Sequence, residues 1–234
     1  MFKQKAISHL LVENNIGQVI GCISNKQCME MQRNSLTYLI KEISECTLID
    51  DIKRIFNNIP ILVQAIFTST DNINSVSRII TSIADAINIR VIELALQEVG
   101  TPPCDFAFIA MGSEGREEQT LKTDQDNAII FDDSKEENKA YFLAFAEIVN
   151  ENLHIIGYER CKGDLMAGNP EWCNSLTVWK NYFTEWINLA DIKNALDSSI
   201  FFDLRFIYGS EFLVEKLQSH VAETLKGNAF FLNS

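Results

Sequence analysis

The spacing of apolar positions changes its rhythm three times along the chain. Ile7 to Val12 is an apolar run, Glu13 to Gln18 is rich in turn formers, and Val19 to Ile23 is apolar again. This predicts a strand, a turn and a second strand, with a helix opening at Asn25. A piece of this size cannot bury its own faces. From about Glu30 to Gly100 the period becomes helical, with Leu36, Leu39, Ile40 and Ile43 on one face, then Ile52, Ile55, Phe56 and Ile59. A longer helix starts near Asp71 or Ser75 and carries Ile79, Ile80, Ile83, Ile87, Val91, Leu94 and Ala95. It stops at Gly100, ahead of Thr101-Pro102-Pro103.

Beyond that stop the pattern shortens. Phe106 to Met111 and Asn127 to Phe131 are apolar runs too short for independent helices, and both read as buried strands. Ser134 to about Leu153 reads as a helix, because Ser134 and Glu137 form a capping box ahead of the stripe Phe142, Phe145, Ile148 and Val149. Ser175 to Trp186 and Asp203 to Leu217 also read as helical. Repeats and low-complexity tracts are absent. The expected fold class is α+β: a small mixed β-sheet core flanked by an N-terminal helical region and a C-terminal helical segment.

The two segments that bear chemistry adjoin the two predicted strands. Gly112-Ser113 follows the first, and Asp124-Gln125-Asp126 opens the second. Gly112 has no Cβ to block a phosphate oxygen, Ser113 can donate from its hydroxyl and its N–H, and a following helix start supplies partial positive charge. Asp124 and Asp126 are two positions apart, so on a strand their carboxylates share one face and Gln125 faces the other layer. Such a pair can hold divalent cations, and two ions about 4 Å apart stabilise both the attacking and the leaving oxygen of a phosphoryl transfer. Mg²⁺ suits an all-oxygen site of this kind. Arg116, one turn past Ser113, can grip a phosphate oxygen or pair with Glu117 or Asp124. A Gly-Ser turn or an Asp-x-Asp pair alone is common, and the conjunction on consecutive strands is what carries specificity.

Composition narrows the partners. The net charge of −12 argues against a surface that tracks a nucleic-acid backbone, so a nucleotide partner should be small. No apolar run approaches the ~18 residues of a membrane span, and no signal-peptide core is evident, which gives a cytoplasmic expectation. The six cysteines form no C-x-x-C pair and read as reduced, mostly buried thiols rather than a zinc site.

The stretch FAFIAMGSEGREEQTLKTDQDNAIIFDD resembles the signal-transduction nucleotidyltransferase family known as domain of unknown function 294, of the polymerase-beta type. Residues 161–172 and 199–205 are similar to that family's C-terminal companion domain, and LLVENNIGQVIGCIS resembles the second half of a CBS motif. The resemblance implies the end of a CBS motif over 1–30, a helical connector over 31–100, a transferase core over 101–160 and a companion domain, cut short, over 161–234. It implies a Mg²⁺-dependent transfer of a nucleoside monophosphate from a nucleoside triphosphate, like that of the uridylyltransferase acting on the PII signalling protein. A signalling protein is then a candidate acceptor, and a complete CBS part would bind an adenosyl nucleotide.

Carried onto this chain, the family pattern makes Asp124 and Asp126 catalytic metal ligands and Gly112, Ser113 and Arg116 phosphate-binding residues. The superfamily's third carboxylate, which takes the attacking hydroxyl's proton, maps best to Asp164, with a turn-forming loop aspartate as the equal alternative. Asp203 is the runner-up, although Asp203 and Arg205 suit capping or an internal ion pair better. Trp172, Trp179 and Trp186 recur every seven residues and read as core before base-stacking groups. His154 reads as structural. Two other functions stay open: a nucleotide sensor or partner-binding domain without turnover, and an interaction module that forms a homodimer through the isoleucine face of Ser75 to Val99.

Overall fold

Strand β1 (His9–Glu13) pairs antiparallel with β2 (Val19–Ser24), from His9 opposite Ser24 to Val12 opposite Gly21. The turn between them is set by Asn14, whose Oδ1 accepts the N–H groups of Ile16 at 3.1 Å and Gln18 at 2.9 Å. Gly17 supplies the left-handed residue at φ +79°. The strand-turn-strand expectation is met, and its apolar side chains stay in water: Leu11 is 67% and Ile20 64% exposed. Helix α1 (Leu36–Glu45) buries Leu39 and Ile43. These elements lie in the first of two units of the computed structural model, residues 1–45, and the second runs from 46 to 234. The structure describes residues 8–24, 26, 36–67, 73–118, 120, 123–132, 138–188 and 201–227. The helix start expected at Asn25 and the Ser134–Glu137 capping pair lie outside them.

The second unit opens with α2 (Ile49–Phe56), α3 (Ile59–Phe67) and α4 (Ile73–Val99). Asp50 and Asp51 in the first turn of α2, with Lys53 and Arg54 in its last, match the helix dipole. Pro60 sits in the first turn of α3, where its missing N–H costs nothing. Helix α4 ends at Gly100, at φ +87°, whose N–H closes onto Leu96 O at 3.0 Å. Its apolar face is occupied within the unit: Ile83, Ile87, Val91 and Ile92 are buried, and α4 packs against α3, α6 (Asn138–Ile156) and the sheet.

Among the described residues the sheet has four strands, β7 (Cys173–Ser175), β5 (Asn127–Phe131), β3 (Phe106–Ala110) and β8 (Arg205–Gly209), adjacent in that order. Strand β3 (Phe106–Ala110) lies antiparallel to β5 (Asn127–Phe131), with Phe106 opposite Phe131 and Ala110 opposite Asn127. On its other side it pairs antiparallel with β8 (Arg205–Gly209), while β7 (Cys173–Ser175) runs parallel to β5. Every residue of β3 and β5 is buried, because both faces are covered. One face presents Phe106 and Phe131 to Phe142 of α6, with ring centroids 5.3 and 5.0 Å apart. The other presents Ala107, Ile109, Ala128 and Ile130 to Trp179 and Phe183 of α7 (Leu176–Asn188) and to Leu213 and Leu217 of α8 (Glu211–Gly227). Helices on both sides of a mixed sheet make the chain α+β. Two of the four strands come from beyond residue 160. Among the described residues, no helix is long and apolar enough to cross a membrane.

The helix expected over Asp203 to Leu217 is instead β8 followed by α8. Arg205, Phe206, Tyr208 and Gly209 pair with the second edge of β3, the register shifting at Ile207, and Gly209 ends the strand at φ +97°. A Cβ on Gly209 would come within 2.1 Å of Phe106 O, so the position demands glycine.

Candidate metal and nucleotide site

The site forms where β3 ends. Met111 N–H donates to Asp126 O at 2.9 Å, extending the β3–β5 ladder by one bond, so the Gly112-Ser113 bend leaves the sheet beside Asp126. Gly112 adopts φ +57° and is buried, and Ser113 is half-buried. Helix α5 (Gly112–Gly115) is a single turn, which limits the dipole available to a phosphate. Gly115 is required by packing: a Cβ there would lie 1.6 Å from Asp203 O.

The short strand β4 (Asp124–Gln125) pairs in parallel with β6 (Glu159–Arg160), placing Asp124 beside Glu159 and Gln125 beside Arg160. This carries Cys161 to the aspartates. Asp124, Asp126 and Cys161 each bring one donor atom to a group in which all lie within 4.8 Å of one another. Gln125, between the aspartates, is 2% exposed. It joins a buried amide network that holds the strand entry: Asn150 Nδ2 donates to Gln125 Oε1 at 2.9 Å and to Asn127 Oδ1 at 3.0 Å. Asn150 Oδ1 accepts Gly168 N–H at 2.8 Å, and Asn127 Oδ1 accepts Ala167 N–H at 2.9 Å. The loop after β6 is thereby fastened to both flanks of Asp126.

Burial pushes the Asp126 carboxyl above the ordinary carboxylate range, a hydrogen bond from the Cys161 thiol opposes the rise, and the charge of Asp124 adds to it. The Cys161 thiol is likewise raised, chiefly by burial. Asp126 is 9% exposed, yet its Oδ1 has no hydrogen-bond partner among the described residues. A buried carboxylate oxygen with no donor, beside a second carboxylate, fits a divalent cation. A cavity of about 720 Å³ opens at Asp124, lined also by Phe56, Pro60, Thr123, Arg160 and Lys162. That volume is in the range of small-molecule sites.

The other sequence candidates fall elsewhere. Arg116 Nε donates to Glu118 at 2.8 Å and its Nη1 to Asp203 at 2.6 Å, so it pairs with neither Glu117 nor Asp124. Asp164 is exposed in a loop at φ +56°, its Oδ2 accepting Asn169 Nδ2 at 3.0 Å, and it is not one of the three clustered donors. Asp203 serves an ion pair, and so does Arg205, which forks onto Asp85 at 2.8 and 2.9 Å. Trp179 is fully buried with Nε1 donating to Ile129 O at 2.9 Å, and Trp172 and Trp186 pack into the same core. His154 is exposed, with Nδ1 3.4 Å from Tyr158 O. Cys161 is the residue that sequence reasoning passed over. Its signal is topological, since only the β4–β6 pairing brings it to the aspartates.

The model of a family described as "Putative nucleotidyltransferase DUF294" matches residues 57–193, well over half the chain. No curated protein matches it.

Proposed function

The chain belongs to the DUF294 nucleotidyltransferase family, and we propose that it moves a nucleoside monophosphate from a nucleoside triphosphate to an acceptor nucleophile, releasing pyrophosphate. Asp124 and Asp126 hold Mg²⁺ in this reading. The observation that supports it is the approach of an oxygen from each carboxylate to within 4.8 Å, together with the buried Oδ1 of Asp126, which has no partner among the described residues. The bound ion supplies charge neutralisation on the triphosphate and polarises the α-phosphate.

The remaining work falls to the chain. The triphosphate enters the cavity at Asp124, where Lys162 adds positive charge, Arg160 adds its own on leaving Glu147 and Glu151, and Phe56 and Pro60 offer an apolar wall for a base. The Gly112-Ser113 bend, set beside Asp126 by the Met111 N–H, offers N–H and hydroxyl donors to phosphate oxygens. Arg116 joins them by leaving Asp203 and Glu118. Asp164, three residues past Cys161, takes the acceptor's proton, a role that requires it to give up Asn169. The PII uridylyltransferase resemblance makes a signalling protein the first acceptor to try, with a CBS part upstream as the regulator.

The test follows an α-labelled nucleoside triphosphate into protein acceptors with Mg²⁺. Label transfer by the native protein, lost in the Asp124→Asn, Asp126→Asn double variant with an unchanged circular dichroism spectrum, is the expected result. Equal transfer by the folded double variant would remove the catalytic role. A second reading, a nucleotide sensor without turnover, is favoured by the placement of Asp164 outside the aspartate pair. Binding of nucleotide with no transfer to any acceptor would select it.

A further inference from the structure

The Asp-x-Asp motif taken alone describes an oxygen-only site suited to Mg²⁺, but the third donor that the fold delivers is sulfur. Cys161 reaches the aspartates because β4 and β6 run in parallel and the chain leaves β6 directly into the site. Its donor atom lies within 4.8 Å of one from each carboxylate. Donors around a single tetrahedral ion with bonds of ~2.0 to 2.3 Å sit roughly 3.3 to 3.8 Å apart, so a bound ion needs only small side-chain rotations to gather the three.

A thiol near two carboxylates could be only a hydrogen-bond donor to one of them. The second observation against that lies on Asp126, which is more than nine-tenths buried and keeps an oxygen with no donor among the described residues even with Cys161 beside it. A cation satisfies that oxygen and accepts the sulfur at the same time. Hard ions such as Mg²⁺ avoid thiolate and demand near-octahedral oxygen surroundings, whereas Zn²⁺ and its heavier relative Cd²⁺ accept mixed sulfur and oxygen sets.

We propose that Cys161 Sγ is the third protein ligand of the ion held by Asp124 and Asp126, making this a mixed thiolate–carboxylate site that prefers a thiophilic divalent cation of the Zn²⁺ class to Mg²⁺. Coordination replaces the thiol proton, which leaves to solvent. The inference rests on the reading of Asp124 and Asp126 as metal ligands.

The experiment titrates the full, metal-free chain with Cd²⁺ and records the ultraviolet sulfur-to-cadmium charge-transfer band, which reports thiolate ligation independently of activity. Mn²⁺ binding, followed by water-proton relaxation, is measured in parallel. The native protein is expected to gain the band, Cys161→Ser to lose it while still binding Mn²⁺, and Asp124→Asn, Asp126→Asn to lose Mn²⁺ binding. Cys161→Ala provides the same comparison should the serine variant not fold. A band of equal intensity in the cysteine variant would place the Cd²⁺ on other thiols, Cys22 among them, and overturn the inference while leaving the aspartate reading intact. Mn²⁺ binding that survives in the double aspartate variant would instead overturn the aspartate reading on which the inference rests.

Discussion

Replacing Asn150 by Ala tests whether the amide network supports the site. Asn150 is 1% exposed and its side chain serves three partners: Gln125 Oε1, Asn127 Oδ1 and Gly168 N–H. Truncation leaves Asn127 Oδ1 with the Ala167 N–H, so that atom stays satisfied. Gln125 Oε1 and Gly168 N–H lose the partner supplied by Asn150. An unsatisfied buried polar group costs ~1–3 kcal/mol, and half-exposed Gly168 falls at the low end, so the expected loss is roughly 2–4 kcal/mol. Urea unfolding followed by circular dichroism measures it. Because Gln125 and Asn127 flank Asp126, Mn²⁺ affinity should weaken in the same variant at urea concentrations where it remains folded. A loss below about 1 kcal/mol, with metal affinity unchanged, would refute the network's role in holding the strand entry.

Asp126→Asn removes a buried carboxylate whose pKa is raised by burial, so without metal the variant should be at least as stable as the native protein at neutral pH in thermal unfolding, while losing metal binding. The same shift sets a pH dependence. The folded state holds the Asp126 proton to higher pH than the unfolded chain does, so the metal-free protein loses stability as pH rises from the unfolded to the folded pKa, and Mn²⁺ affinity falls as pH drops back through the folded value. Parallel unfolding and relaxation titrations across that range would read both slopes, and a metal affinity independent of pH would contradict the assignment. Gly115→Ala drives a Cβ into the Asp203 carbonyl and should cost ~3 kcal/mol or more, seen as a lowered urea midpoint. A variant of native stability would mean that the α5–Asp203 contact is loose.

Much of this was legible from local pattern. Phe106–Ala110 and Asn127–Phe131 are runs that only a strand covered on both faces accommodates, and they form the paired centre of the sheet. The two-residue spacing of Asp124 and Asp126 put their carboxylates near one another, and the fold keeps an oxygen of each within 4.8 Å. The end of the α4 helix was marked by Gly100. What escaped depends on partners distant in sequence. Phe206 to Tyr208 followed by Leu213 and Leu217 can mimic a helical stripe, and the open edge of β3 decides for a strand. Cys161 lies 35 residues beyond Asp126, and its approach is made by the two-residue β4–β6 ladder, which leaves no periodic trace. Arg116 offered phosphate, Glu117 and Asp124 as partners, and the fold added Asp203, brought across by the close approach at Gly115.

On the proposed function, Asp124 and Asp126 jointly hold the cation of a nucleoside triphosphate. A crystal structure with Mg²⁺ or Mn²⁺ and a non-hydrolysable nucleoside triphosphate tests it directly. The expected result is a divalent ion within about 2.0–2.2 Å of an oxygen from each aspartate, with phosphate oxygens completing its surroundings in the cavity at Asp124. A triphosphate bound elsewhere, with both carboxylates free of metal, would contradict it.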